Sequence, residues 1–311
     1  MKFLYLLEKI RTPLVDKAML LITQLGEETA FLVLALIVFW CVDKYKGYYI
    51  LGVGFIGTIL NQFLKLCYRI PRPWVIDPNF SILEEAREAA SGYSFPSGHT
   101  QSAVGSFGAL AHTAKSKWIR AIAIIIAVLV PFSRMYVGVH TPLDVFVSIA
   151  IAVLLIVILK PVVLEHNHGG LSYLVGIMAV IGCGFLAFVH LYPFPSDIDP
   201  HNLASGFKNA YTLMGALAGL LIVYFVDEKW LKFPTKAPLW AQFIKVIIGL
   251  GLILAVKSGL KTPLNCLLGE SFGRSARYCL IVIVAGILWP LSFRFFSRQK
   301  CNNREDKTHE L

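Results

Sequence analysis

The chain has 311 residues and a formal net charge of +10 at pH 7, and 56% of its residues are hydrophobic but only 15% charged. A soluble globular chain has roughly 45–50% apolar and about 25% charged residues, so the composition excludes a soluble enzyme, a disordered protein and a disulfide-stapled secreted domain. Long apolar runs between Thr29 and Phe296 indicate a polytopic membrane protein instead.

The N-terminal part of the chain does not have the pattern of a membrane span. The stretch "MKFLYLLEKIRTP" lacks a long apolar core and a small-residue cleavage site, so we do not interpret it as a cleaved signal peptide. Residues 12–24 are amphipathic but too few and too charged to cross a bilayer. They predict a helix that lies in the membrane interface.

Later segments have the composition of transmembrane helices, which need about 20 mostly apolar residues. The nine predicted spans are 27–43, 47–66, 98–114, 118–136, 142–160, 171–192, 203–226, 239–257 and 276–296. We therefore predict an all-α, polytopic membrane helical bundle. Its divisions are a catalytic core over residues 1–160 with the interfacial helix and five spans, a four-span extension of unknown role over 161–297, and a basic tail over 298–311.

The orientation of the bundle follows from the loops that carry basic residues. Lys and Arg recur in the loops 44–46, 115–120 and 229–236 and in the tail, whereas residues 192–202 contain neither. Because basic loops stay in the cytoplasm, we predict a multi-pass plasma-membrane protein with its N-terminus outside and its C-terminus inside. The basic residues do not gather on one soluble face, so we expect no nucleic-acid partner.

Three polar clusters lie at the predicted outer ends of spans. They are "KLCYRIPRP" with Lys65 and Arg72, "PSGH" at 96–99, and "SRMYVGVHTPLD" at 133–144. Ionisable groups within a membrane are costly, by about 2.5–3.5 kcal/mol each at a helix centre on insertion scales, and so indicate function. Since all three clusters lie on one side, we expect them to meet on one membrane face.

The first chemistry that these clusters suggest is anion binding. Lys65, Arg72 and Arg134 would place three cations around one point, an arrangement that an anion with several oxygens stabilises. Ser97 and Gly98 open a predicted span, where free backbone N–H groups favour an anion and glycine permits its close approach. The pattern predicts a phosphate pocket.

Two histidines and a carboxylate then predict a reaction. His140 precedes Thr141 and Pro142, which resemble an N-cap and a first helical residue, and Asp144 follows in the first turn. Asp144 is thus placed to hold one imidazole nitrogen of His140 and leave the other to attack phosphorus. His99 is placed to protonate the departing alkoxide. This scheme uses no metal and no cofactor.

Each of these residues also has a less specific interpretation. Ser97 is a good N-cap, and Asp144 suits a helix start on dipole grounds alone. A single interfacial His or Arg is more often an anchor than a catalyst. Capping and anchoring do not explain two histidines and three cations on one face, so the joint pattern favours the phosphate site.

Other segments give weaker predictions. The charged stretch from Ile82 to Ala90 predicts a short helix, which we interpret as a solvated surface helix rather than a lid over the pocket. "EHNHGG", from Glu165 to Gly170, is interpreted as a solvated loop rather than a metal site. The small residues at 215–219 and 249–251 would permit close helix packing.

The motifs resemble those of the type 2 phosphatidic acid phosphatase superfamily, the membrane lipid phosphatases related to vanadium haloperoxidases and glucose-6-phosphatase. The family pattern K-x6-RP, PSGH and SR-x5-H-x3-D is matched at every fixed position, and the resemblance covers residues from about 15 to 160. It implies that His140 is the nucleophile that forms a phosphohistidine, Asp144 its orienting partner and His99 the acid. It also implies that the phosphate is held by Lys65, Arg72, Ser97, Gly98 and Arg134.

The leading hypothesis is an integral membrane phosphatase that acts on a lipid phosphate or diphosphate at the outer membrane boundary. Candidate substrates are phosphatidic acid, phosphatidylglycerol phosphate, a polyprenyl diphosphate and a sphingoid-base phosphate; the pattern does not choose among them, nor does it give an oligomeric state.

The alternative is a transporter or flippase that only binds at the same pocket. That alternative predicts polar residues at mid-membrane depth in the last four spans, where the candidates are His190, Asn209 and Lys245. A vanadate-dependent haloperoxidase is a third hypothesis, disfavoured by the many spans.

Overall fold

The computed structural model describes residues 1–90, 92–165 and 170–296, and helices form its regular structure. The α-helices are α1 (Lys2–Lys9), α2 (Pro13–Gln24), α3 (Glu28–Ile37), α4 (Lys44–Tyr68), α5 (Pro73–Ile76), α6 (Gly98–Thr113), α7 (Lys117–Tyr136), α8 (Pro142–Lys160), α9 (Gly170–Leu191), α10 (Pro200–Val226), α11 (Leu239–Gly259) and α12 (Lys261–Ile283). Single π-helical turns extend α3, α8, α10 and α12 at their C-terminal ends.

The predicted polytopic helical bundle is confirmed. Within the described residues, seven helices are long and apolar enough to cross a membrane, or up to eight if α2 and the extended α3 form one bent span. Helix is present at all nine predicted spans. The count is lower than predicted for two reasons. Helix α6 has only 16 residues, and α3 with its π turn is long and apolar enough to cross a membrane only when it is joined with α2.

Two predicted segments differ from the structure. The last span was predicted from residue 276, but α12 begins at Lys261 and contains a non-helical residue, Gly269, with φ of 77°. The segment Ile82 to Ala90 forms two 3₁₀ turns, Glu84–Ala86 and Glu88–Ala90, rather than one helix. A single α-helical turn is costly to nucleate, and tertiary packing of the buried Ala86 and Ala90 sets the conformation here.

The N-terminal helices wrap against the centre of the bundle. The α2 helix, predicted as the interfacial segment, is bent by 55° from α3. Gly26 lies at this bend, and a Cβ there would be 3.0 Å from the Cβ of His99 and 2.8 Å from Cγ1 of Val130. The missing side chain therefore lets the bend approach the start of α6. The preceding helix α1, which the sequence did not predict, buries Leu4 and Leu7.

Helix α6 occupies the centre of the N-terminal half and packs on α3, α4, α7 and α8. In the C-terminal half, α10 packs closely along α12. A Cβ at Gly215 would lie 2.1 Å from the carbonyl oxygen of Ser275, and one at Gly219 would lie 2.7 Å from that of Cys279. The predicted close packing at 215–219 is thus confirmed.

Candidate functional site

The three motif clusters converge on one cavity of about 460 Å³ at the end of the bundle where α4 ends and α6 begins. The predicted site residues that line it are Lys65, Arg72, Gly98, His99, Arg134 and His140. The other two, Ser97 and Asp144, are buried behind this wall. The Ser97 hydroxyl caps α6 by accepting from the Thr100 N–H at 3.4 Å.

A capping box at the start of α8 positions His140. Thr141 is the N-cap, Pro142 occupies the first helical position, and Asp144 Oδ2 accepts from the Thr141 N–H at 2.8 Å. The same oxygen accepts from the Ser94 hydroxyl at 2.6 Å and lies 3.4 Å from His140 Nδ1. This arrangement favours the tautomer with the proton on Nδ1, which leaves a lone pair on Nε2. Asp144 therefore both caps the helix and faces the imidazole, as the two interpretations of the sequence required.

Arg72 is held in place by backbone carbonyl groups. Its Nε donates to the Gly92 oxygen at 2.9 Å and its Nη1 to the Val139 oxygen at 3.0 Å. Nη1 also lies 2.9 Å from Nε2 of His140. In the tautomer described above, the guanidinium donates to the imidazole lone pair, so these two groups are in direct contact.

Arg134 and His99 present unused hydrogen-bonding atoms to the cavity. Arg134 is fully buried, and its Nη1 donates to the Thr23 hydroxyl at 2.8 Å. Among the described residues, no hydrogen-bond partner is found for Arg134 Nε, Arg134 Nη2 or His99 Nε2. A buried polar group without a partner costs about 1–3 kcal/mol, and a charged one more. Unused donors of a buried cation favour the binding of an anion between them.

The third cation lies beside the same loop that holds Arg72. The Lys65 ammonium, in the last turn of α4, donates to the carbonyl oxygen of Tyr93. Neighbouring carbonyl oxygens at Gly92 and Tyr93 thus orient Arg72 and Lys65 toward one cavity. The three cations therefore line one cavity, as predicted.

The electrostatic environment keeps His140 neutral. Burial lowers the pKa of His140 well below its usual value near 6.5, and the cations Arg72, Arg134 and Lys65 lower it further. Both causes disfavour the charged imidazolium. An imidazole that is neutral near pH 7 retains the lone pair that nucleophilic attack requires.

Some supporting residues were missed by the sequence reasoning. Ser94, which bonds Asp144, lies just before the PSGH motif but outside its spacing, and Thr23 contacts Arg134 from a distant helix. Gly138 was inside a quoted motif, where its φ of 87° allows the turn before His140. A side chain at Gly138 would also approach Arg11 Nη2 to 2.9 Å. Of these three residues, only Gly138 could have been recognised from the local sequence, because glycine is typical of turns that need a positive φ.

The C-terminal half contributes a wall that was not predicted. The cavity residues from α10 are Asn202, Ser205, Lys208 and Asn209. Of the three polar candidates for a transport path, only Asn209 reaches the cavity. His190 Nε2 instead pairs with the Tyr211 hydroxyl at 3.2 Å, and Lys245 donates to the Thr235 carbonyl at 3.1 Å. Most of the "EHNHGG" stretch, residues 166–169, lies outside the described residues, as does the basic tail.

A helical membrane bundle with buried cations, two histidines and a carboxylate around one cavity defines the class of integral membrane phosphate-ester hydrolases. Comparison with known families gives the particular family. A model described as the PAP2 superfamily matches residues 45–167, and one described as the PAP2 superfamily phosphatase, transmembrane extension, matches residues 211–300.

Individual relatives agree with the family models. Undecaprenyl-diphosphatase BcrC of Bacillus subtilis is 32% identical over 45% of this chain and 70% of its own length. Phosphatidylglycerophosphatase B of the same organism is 31% identical over 49% of this chain and 76% of its own. An undecaprenyl-diphosphatase of Sulfolobus acidocaldarius is 38% identical over 29% and 42% of the two chains. No solved structure matches. The chain belongs to the PAP2 superfamily and is a phosphatase.

Proposed function

We propose that the protein hydrolyses a lipid phosphate or diphosphate at this cavity through a phosphohistidine on His140, without a metal. The single observation that carries the proposal is the position of the buried His140 in the lining of a cavity whose buried Arg134 retains unused donors. Its relatives named undecaprenyl-diphosphatase and phosphatidylglycerophosphatase B support a phosphorylated lipid as substrate. The cavity at the end of apolar helices lets a lipid tail remain in the bilayer.

Substrate binding is assigned to the cations and to the start of α6. The phosphate oxygens take hydrogen bonds from Arg134, Arg72 and Lys65, while the free N–H groups at Gly98 and His99 add the favourable field of the helix N-terminus. Arg72 must exchange its contact with His140 Nε2 for a phosphate oxygen. Ser97 acts by capping α6 and so by fixing those N–H groups.

The reaction then proceeds in two displacements. His140 Nε2 forms a bond to phosphorus as the bond to the ester oxygen breaks, and Asp144 stabilises the positive charge on the ring through Nδ1–H. His99 donates its proton to the departing oxygen. In the second displacement His99 takes a proton from water, whose oxygen attacks the phosphohistidine and releases inorganic phosphate. The cations stabilise the charge on the equatorial oxygens throughout.

The cavity is assigned to the outer face of the plasma membrane. At the opposite end of the bundle, Lys44 pairs with Asp227 at 2.8 Å and Lys46 donates to the Thr113 carbonyl at 2.9 Å. These basic loops therefore cluster at the end away from the cavity, the distribution that the positive-inside rule associates with the cytoplasm.

The test is phosphate release from a panel of lipid phosphates by the detergent-purified protein with a chelator present. We expect turnover for the wild type and a loss of at least about a thousandfold for His140→Ala, since removal of a nucleophile of this kind removes most of the catalysed rate. The matched control is His112→Ala, a substitution of an exposed histidine on α6, for which full turnover is expected.

A second measurement tests the covalent step. With ³²P-labelled substrate, an acid-labile, base-stable label on the wild type that is absent from His140→Ala supports the phosphohistidine. Turnover that survives in His140→Ala, or that the chelator abolishes, would contradict the mechanism. No release from any lipid by folded protein would instead favour the transporter hypothesis.

A further inference from the structure

One half of the cavity is not used by the mechanism above. Its polar side chains come from α4, α6 and α10, and we call it the α10 subsite. The subsite is formed by Asn61, Gln101, Asn202, Ser205, Lys208 and Asn209. It adjoins the phosphate cradle directly, because a Cβ at Gly98 would lie 3.7 Å from Asn61 Oδ1.

Two of these side chains have hydrogen-bonding capacity that the protein leaves unused. Asn61 is 2% exposed and Gln101 is 3% exposed. Within the part of the chain that the structure describes, neither the nitrogen nor the oxygen of either carboxamide has a hydrogen-bond partner. Buried amides are normally paired, so four unused atoms in one cavity wall indicate a polar ligand. An apolar lipid tail could not form hydrogen bonds with these four atoms, so the free-energy cost of burying them without partners would remain.

The wall from α10 is built to face the same space. Asn202, Ser205 and Asn209 follow the spacing of one helical face. Gly206 brings this helix against α4, since a Cβ there would lie 2.8 Å from Leu66 Cδ1. Asn202 Oδ1 would likewise lie 3.0 Å from a Cβ at Gly92, whose carbonyl holds Arg72. The extension is therefore in contact with the loop that orients the phosphate ligands.

The chemistry of the α10 subsite distinguishes between ligands. Carboxamides and hydroxyls both donate and accept, and so match alcohol groups. Glu27 and Glu28 also line the cavity, and Lys208 is close enough to Glu28 to influence it electrostatically. Lys257 also acts on Glu28, so these two carboxylates are balanced by two ammonium groups. The subsite thus lacks the excess of cations found around the phosphate cradle, which disfavours a second phosphate there relative to a neutral alcohol.

We propose that the α10 subsite binds a hydroxyl-bearing leaving group, so that the enzyme prefers monoesters such as a phosphorylated glycerol headgroup to diphosphates and to esters without a free hydroxyl. This inference rests on the proposed phosphatase function and assigns the extension a role in substrate choice. The alcohol oxygen bonded to phosphorus leaves toward His99, and the neighbouring hydroxyl exchanges hydrogen bonds with Asn61 and Asn209.

The test compares kcat/KM for phosphatidylglycerol phosphate, phosphatidic acid with the same acyl chains, and a polyprenyl diphosphate in one detergent. We expect the wild type to prefer phosphatidylglycerol phosphate by about tenfold or more, the contribution of one or two hydrogen bonds. Asn209→Ala and Asn61→Ala, on opposite walls, should each lower the ratio of phosphatidylglycerol phosphate to phosphatidic acid by about tenfold. Asn79→Ala, an exposed asparagine outside the cavity, should keep the wild-type ratio.

The ratio separates recognition from folding, because a merely structural defect lowers kcat/KM for both lipids together. An unchanged ratio in both variants, or a wild type that prefers the diphosphate, would overturn the subsite while leaving the phosphatase intact. Failure of the proposed function would look different: the wild type would release no phosphate that depends on His140 from any of the three lipids.

Discussion

At the scale of single residues, the site combines groups that would be unstable separately. Arg134 is buried with two unused nitrogen atoms, and His140 is buried within reach of three cations. Such a cluster is retained only where the rest of the fold stabilises it. Here the stabilising contacts are the capping box at Asp144 and the backbone carbonyls around Arg72.

The lowered pKa of His140 predicts the acid side of the pH profile. Since the imidazole reacts when neutral, the acid limb of kcat/KM that reports protonation of His140 should lie below pH 6.5. Arg134→Gln removes a cation that lowers the pKa of His140, so protonation becomes easier and the decline should move to higher pH. We expect this shift together with a lower maximum rate when the wild type and Arg134→Gln are measured on the same substrate. An identical acid limb in the two proteins would argue against His140 as the titrating nucleophile.

The sequence was sufficient to select the residues that we propose to hold phosphate, because their types and spacing follow from the chemistry of an anion site. It was not sufficient for Thr23, Ser94 or Asn61, whose roles depend on tertiary neighbours far along the chain. Serine, threonine and asparagine are common, and nothing in their local spacing distinguishes a site contact from a cap.

At the scale of helices, the predicted spans overlap helices throughout, and the third span, 98–114, agrees closely with α6 (Gly98–Thr113), whereas the start of α12 differs. Helix α6 is short and rich in small residues because it is enclosed by other helices rather than by lipid. Helix α12 begins earlier than its apolar run, with a polar and largely exposed first half that precedes the break at Gly269, whereas its contacts with α10 at Ser275 and Cys279 lie beyond that break. For α12 the hydrophobic pattern reports the apolar part of the helix and not its full extent.

Contact between α10 and α12 can be tested with matched glycine substitutions. Gly215→Ala places a methyl group on the backbone of Ser275, so the helices must separate, at a cost of about 1–3 kcal/mol for overpacking. When the protein is heated in detergent, we expect the monodisperse peak of Gly215→Ala to fall to half its size at a lower temperature than that of the wild type. Gly251→Ala has no atom within 4 Å of the new methyl group, and its melting should match or exceed that of the wild type. Equal melting of the two variants would contradict the close contact.

At the scale of the whole molecule, the chain has two chemically different ends. The cavity with its two histidines lies at one end, and the basic loops around Lys44 and Lys115 belong to the other. The polar cavity and the basic loops are thus separated by the thickness of the bundle. The proposed orientation follows from this asymmetry together with the positive-inside rule.

Thiol labelling tests that orientation. Cys67 is an exposed free thiol two residues beyond Lys65, at the cavity end. In a variant that keeps only this cysteine, a membrane-impermeant maleimide should label intact cells. In the matched variant with Lys115→Cys as its only cysteine, labelling should require permeabilised cells. The reverse pattern would place the cavity on the cytoplasmic side.

The hydrogen bond between Arg72 and His140 also bears on how readily reagents can modify this histidine. The nitrogen that we propose as nucleophile is occupied by the guanidinium until a competing anion arrives. Acylating or alkylating compounds in the surroundings therefore meet the exposed imidazoles of His112 and His201 first. A phosphate that draws Arg72 away would expose the lone pair of Nε2, so the arginine that we propose to bind substrate would also limit chemical modification of His140 in its absence.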